Sequence, residues 1–178
     1  MRAGATRWLV VPAILLVEGC SSSGAGTADP PEPGDRERYG DQAVRIARVI
    51  DGDTAVLDDG TSVRYIGIDT PEMHPAPQCG AEAATEANER RVEGELVTLR
   101  LDPAETRDRF GRLLAYLEID GSILNVELVR DGLACAFPFG STRRYRDEIA
   151  AAEREAREAG RGVWSACPPV PDGCPPPR

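Results

Sequence analysis

The stretch from Val44 to Glu72 constrains this chain most. Val44-Arg45-Ile46-Ala47-Arg48-Val49-Ile50 is rich in β-branched residues and partly alternating, which predicts a strand. Asp53 to Leu57 predicts a second strand, Asp58-Asp59-Gly60-Thr61 a hairpin turn, and Ser62 to Ile68 a returning strand. Pro71 has no N–H to give a ladder, so the chain leaves the sheet at Asp69-Thr70-Pro71-Glu72. If the two strands pair around the turn, Asp53 and Asp69 meet in space although they are far apart in sequence.

The remaining elements attach to that hairpin. Ala81 to Val92 predicts a helix rich in Ala and Glu, stopped by Gly94. Leu96 to Leu101 alternates Val97, Leu99 and Leu101 against Thr98 and Arg100, the pattern of a half-buried strand. Arg112 to Ile119 predicts another strand, turning at Asp120-Gly121. Val126 to Val129 reads as a short helix with Asn125 as its N-cap and Gly132 as its end. Arg143 to Ala159 is the clearest helix, with Tyr145, Ile149, Ala152, Ala156 and Ala159 on one face. Gly160 and Gly162 end it, and Trp164 packs back on the body. The expected class is α+β and mainly β: the elements fit a five-stranded Greek-key barrel of the OB type with about three helices, and strand count alone fits other α+β folds as well.

The flanks divide the 178 residues further. Residues 1–20 read as an export signal: Arg2 and Arg7, then an apolar run from Trp8 to Val17 too short to span a bilayer comfortably. Gly19-Cys20 followed by Ser21-Ser22-Ser23 resembles a lipoprotein signal, in which Cys20 is acylated; an ordinary cleaved signal is the alternative. Residues 21–42 are rich in Ser, Gly, Pro and acids and read as a flexible tether. The folded domain is expected over 43–166 and a Pro-rich tail over 167–178.

Four cysteines remain after Cys20, namely Cys79, Cys135, Cys167 and Cys174, and in an exported chain they suggest disulfides with three possible pairings. The lone His74 reads as a loop residue, and no Cys/His spacing suggests zinc. All 21 basic residues are Arg, and the net charge of −9 argues against a passive coat for nucleic acid. It does not exclude an enzyme that meets phosphate with a metal ion and a few placed arginines.

Asp53, Asp69 and Glu72 with Arg64 and Arg112 suit phosphodiester hydrolysis. That reaction needs a deprotonated water, neutralised phosphate oxygens and groups held in line. Hard oxygen donors favour Ca²⁺ or Mg²⁺ over zinc. Each motif alone is also ordinary turn or cap chemistry. Their combination in one small domain favours a site.

The matching runs are Val49-Ile50-Asp51-Gly52-Asp53-Thr54, Arg64 through Glu72, Asp108 through Tyr116, Asn125 through Ala134 and Gly162-Val163-Trp164. With these runs in this order, the segment from Val49 to Trp164 resembles the staphylococcal nuclease (thermonuclease) family. The resemblance implies an OB-type barrel with helices, and cleavage of DNA and RNA. It implies Ca²⁺ held by Asp53, Asp69 and the carbonyl of Thr70, with Glu72 as general base and Arg64 and Arg112 gripping phosphate. The type member's cleft lysines are absent, with Arg109 the nearest substitute, and Phe137-Pro138-Phe139 stands where it has tyrosines. Phe137 and Phe139 can stack on bases but cannot hydrogen-bond phosphate. Cys79 opens the first helix and Cys167 follows Trp164, and these two are expected to pair. Cys135 and Cys174 are left to pair or stay free.

The expectation is an extracytoplasmic, calcium-dependent nuclease acting on DNA or RNA. It is held to the outer face of the cell membrane through a lipid on Cys20, or secreted, and is monomeric. Two alternatives remain: a nuclease-fold module that binds nucleic acid or protein at the envelope, and a structural envelope lipoprotein.

Overall fold

The computed structural model describes residues 34–137, 144–169 and 174. Five strands close a barrel: β1 (Ala43–Asp51), β2 (Thr54–Leu57), β3 (Ser62–Tyr65), β5 (Leu96–Leu101) and β6 (Leu113–Ile119). The order is β3-β2-β1-β5-β6, and β6 pairs back onto β3. That closing pair is parallel, Val63 to Leu113 and Arg64 to Leu114, whereas the other four pairings are antiparallel. This is the expected OB-type barrel.

β1 serves two neighbours because its register shifts between Ile46 and Arg48 and again between Val49 and Asp51. Such bulges bend a strand and let its two ends join different partners. Ala43–Arg45 lie against β5, and Ile46 onward against β2. The alternation anticipated in β5 holds: Val97, Leu99 and Leu101 are buried and Thr98 and Arg100 half-buried. Ile46, Val63, Tyr65, Leu99, Leu113 and Leu117 fill the barrel.

Helix α2 (Ala81–Val92) packs against β1, and α3 (Leu124–Arg130) packs against β6 and α4 (Arg146–Glu158). A second ladder pairs β4 (Ile68–Asp69) with β8 (Cys135–Ala136), and β7 (Ser122–Ile123) extends β6. Two short helices, α1 (Asp35–Tyr39) and α5 (Val163–Ala166), raise the number beyond the three expected.

The structure departs from the sequence expectations at four places. Residues 35–42, expected in the tether, belong to the folded body, because Tyr39 of α1 is buried in the barrel core. Asn125 is not the cap of α3; it lies inside the helix, fully buried. Its Nδ2 donates to the Ile66 carbonyl at 2.9 Å and its Oδ1 accepts from the Leu117 N–H at 3.0 Å. One backbone group just past the end of β3 and one on β6 claim the amide, and buried groups of this kind need such partners. Helix α4 starts at Arg146, and Ala159 is exposed beyond its end; Arg143 lies outside the described residues.

A second, smaller core holds Cys135, Val163, Cys167 and Cys174 with Trp164 against them. Cys135 and Cys174 form one disulfide within it, and Cys167 forms a second with the exposed Cys79. Cys174 thereby fixes one point of the Pro-rich tail to the body. No helix among the described residues is long and apolar enough to cross a membrane.

Candidate active site

The closing pair of the barrel puts the two arginines side by side. Arg64 on β3 sits opposite Leu114 on β6. Arg112 is two residues before Leu114, and strand periodicity returns a side chain to the same face every second residue. Both arginines accordingly line one pocket of about 150 Å³, with Ile68, Asp108, Leu114 and Phe137.

Each arginine is held by carboxylates. Arg64 Nη1 lies 2.5 Å from Asp53 Oδ2, and its Nη2 donates to Asp69 Oδ1 at 3.0 Å. Arg112 Nε donates to Asp108 Oδ2 at 2.7 Å. Asp108 Oδ1 also accepts the N–H groups of Phe110 (2.9 Å) and Arg112 (3.0 Å), so one carboxylate shapes the turn and aims the guanidinium. Sequence reasoning gave Asp108 no role of its own. The signal was available in part in its spacing, since an Asp side chain commonly accepts the N–H two residues on in a turn.

Asp53 closes the β1–β2 junction and is buried. The Thr70 N–H (3.0 Å) and Oγ1 (3.1 Å) both donate to its Oδ2, which fixes the end of β4 against β2. Gly52 permits this closeness. A Cβ there would lie 2.8 Å from Ala84 of α2 and 2.8 Å from the Thr70 side chain. Asn88 of α2 braces the same corner, donating to the Asp51 carbonyl at 2.9 Å and accepting from Tyr65 at 3.1 Å.

Electrostatics sharpen the picture. Burial pushes the pKa of Asp53 well above the usual carboxylate range; Arg64 pulls it back, and Asp51 pushes it further up. Asp69 is raised by burial against the pull of Arg64, and Glu72, exposed as a residue, is raised by partial desolvation of its carboxyl and then by the charges of Asp69 and Asp51, against the pull of Arg64 and Arg112. Asp53 and Asp69 thus share the Arg64 guanidinium while the charges of Asp51 and Glu72 add to theirs, a surplus of negative charge on hard oxygen donors. That donor set fits a hard divalent cation such as Ca²⁺. Among the described residues no three His, Cys, Asp or Glu side chains form a ready cage, and Arg64 supplies the charge that Asp53 and Asp69 share.

Glu72 is exposed, on the loop beyond β4. Its backbone is pinned to Gln78: the Glu72 N–H donates to Gln78 Oε1 and the Gln78 N–H to the Glu72 carbonyl, both at 2.9 Å. The next residue, Cys79, is bonded to Cys167. Phe137 is 46% exposed at the pocket wall, while Phe139 and Cys20 lie outside the described residues. Arg109 does not line the pocket; its guanidinium lies 4.7 Å from the ring centre of the exposed Phe110.

A barrel with Arg64 and Arg112 at its parallel seam, and acids from the β1–β2 junction, β4 and the following loop beside them, has the make-up of a small phosphate-directed hydrolase. The family model described as "Staphylococcal nuclease homologue" matches residues 62–166. The thermonuclease of Staphylococcus hyicus is 35% identical over 132 residues, covering 70% of this chain and 77% of that one. The thermonuclease of Staphylococcus intermedius is 36% identical over 125 residues (67% and 74%). Endonuclease YncB of Bacillus subtilis is 35% identical over 129 residues, covering 68% of this chain and 61% of its own. The chain belongs to the staphylococcal nuclease family, and with it to the nuclease class of hydrolases.

Proposed function

We propose that this chain is a calcium-dependent nuclease that hydrolyses phosphodiester bonds of DNA or RNA outside the cytoplasm. The convergence of Arg64 and Arg112 on one phosphate-sized pocket, flanked by Asp53, Asp69 and Glu72, carries the reading. Planar guanidinium forks contact two oxygens at once and stabilise the charge added in the transition state. Glu72 acts as general base on the attacking water, and its raised pKa brings it closer to neutral, where a base works best. Asp53 and Asp69 would hold Ca²⁺ beside Thr70. When bound, the ion supplies Lewis-acid polarisation of the phosphate. Phe137 and Phe139 offer faces for bases to stack on, and Arg109, outside the pocket against Phe110, adds positive charge beside the turn that carries Arg112.

Two disulfides support an oxidising compartment. The export signal and Cys20 support attachment to the outer face of the cell membrane, with the stretch before α1 as tether; secretion is the other outcome. The protein works as a monomer.

Purified protein should cut single-stranded DNA with Ca²⁺, lose that activity with a chelator, and lose it as Glu72→Gln. Chelation should also lower the melting temperature, and Asp53→Asn should abolish that shift. A well-folded protein that cuts neither DNA nor RNA under any of these conditions overturns the reading. Labelling of the cells with radioactive palmitate, compared with Cys20→Ala, separates lipid attachment from secretion.

A further inference from the structure

Helix α1 precedes the family match, which begins at residue 62. Its first residue nevertheless reaches the turn that carries Arg112. Asp35 takes the guanidinium of Arg107 as a fork: Nε lies 2.8 Å from Oδ2 and 3.0 Å from Oδ1, and Nη2 lies 2.6 Å from Oδ1. Thr106 Oγ1 donates to the same carboxylate at 2.8 Å. The remaining arm of Arg107, Nη1, donates to the Gly111 carbonyl at 2.7 Å.

Gly111 stands directly before Arg112. Its N–H donates to the Asp108 carbonyl at 3.0 Å, and the Asp108 N–H donates to the Arg112 carbonyl at 3.0 Å. One guanidinium therefore ties helix α1 to the main chain on which Arg112 is mounted. Helix α1 is anchored independently. Buried Tyr39 donates to Asp59 Oδ2 at 2.6 Å, and Arg36 Nη2 donates to the carbonyls of Asp102 (2.9 Å) and Pro103 (2.8 Å). The Asp35 side chain is 19% exposed and that of Arg107 38%. A bidentate fork inside a wider network is the kind of surface pair that carries weight.

From this relay we infer that Asp35 is a positioning residue for Arg112: acting through Arg107, it fixes the 108–112 turn and so sets the grip on the scissile phosphate. The inference rests on the nuclease reading above and assigns part of the site to residues ahead of the family match.

A double-mutant cycle on the full chain tests it, with wild type, Asp35→Ala, Arg112→Ala and the double variant cutting a single-stranded DNA oligonucleotide with Ca²⁺. Asp35→Ala should lower kcat/KM by about five- to tenfold, and the double variant should equal Arg112→Ala. Asp35→Glu should recover part of the loss. Arg38→Ala, which removes the ion pair to Asp59 and the contact with the Tyr39 ring but leaves the Asp35–Arg107 fork in place, should leave the rate unchanged. A second readout needs neither metal nor turnover: inorganic phosphate titrated against the arginine Nε–H resonances should bind more weakly to Asp35→Ala. Full activity in Asp35→Ala, or losses that add to those of Arg112→Ala, overturns the inference. A wild-type chain that cuts nothing marks failure of the nuclease reading instead, and the phosphate titration then decides about Asp35 alone.

Discussion

Asp69 sits directly across a two-stranded ladder from Cys135, whose sulfur is bonded to Cys174. Across the same corner the Phe137 N–H donates to the Gly67 carbonyl at 2.9 Å. The disulfide thus backs the short strand that carries one site carboxylate and leads into one pocket wall. Two-residue strands have little ladder of their own, and a covalent link restricts what they can do when opened.

Replacing Cys135 and Cys174 by Ala should cost about 2–4 kcal/mol of stability. Activity should fall further than stability requires, because β8 no longer holds β4, while the barrel core stays formed. Unfolding curves and cleavage rates at a temperature where the variant is fully folded check this. An unchanged rate there separates the disulfide from the site.

Asp108→Ala should cost about 1–3 kcal/mol, since it leaves the N–H groups of Phe110 and Arg112 without their acceptor. The pH dependence has a definite sign. Burial raises the Asp108 carboxyl, but hydrogen bonds from the Arg112 side chain and from the Arg112 and Phe110 backbone outweigh it, leaving the pKa below its usual value. The carboxylate therefore stabilises the fold above the unfolded-chain pKa of about 3.9, and the contribution fades as pH falls through the lower folded value. Melting temperatures of wild type and Asp108→Ala should converge in that acid window. A gap that persists there contradicts the assignment.

Gly52→Ala should impair the site without touching a functional group. The added methyl meets Ala84 and Thr70 at 2.8 Å, and something must move. Overpacking of this kind costs about 1–3 kcal/mol. The displaced Thr70 should loosen its two hydrogen bonds to Asp53, seen as weaker calcium binding by calorimetry. Wild-type affinity in a folded Gly52→Ala protein refutes the close-packing argument.

Glu72→Gln should behave in the opposite way. The side chain is exposed, so stability should stay within about 0.5 kcal/mol of wild type. Cleavage should drop by about 10²–10⁴-fold, the range for loss of a general base. Substrate binding, measured by fluorescence anisotropy, should change little. A loss carried by binding instead would move Glu72 from base to substrate contact.

The helix over residues 146–158 and the strand over 96–101 were legible because periodicity reports which face is buried. The same logic read Ala159 as core, and failed because one residue past a helix end the face no longer repeats. Asn125 illustrates the other limit. A capping residue before an apolar run is a good local signal, but Leu117 and Ile66 compete for the same amide, and neither is near it in sequence. Helix α1 was missed because its composition matches a tether; Tyr39 and the Asp35–Arg107 fork order it through residues some 20 and 72 positions away.

The sequence by itself determined the strand pattern, the turns and the residue types of the site, because these depend on local backbone preference and on which side chains carry charge. The tertiary structure decided how they are coupled: the parallel seam that joins Arg64 to Arg112, the carboxylate that aims Arg112, the second disulfide, and the docking of α1. Each of these depends on distances between segments remote in the chain. Burial and charge there act through space, and no local window contains both partners.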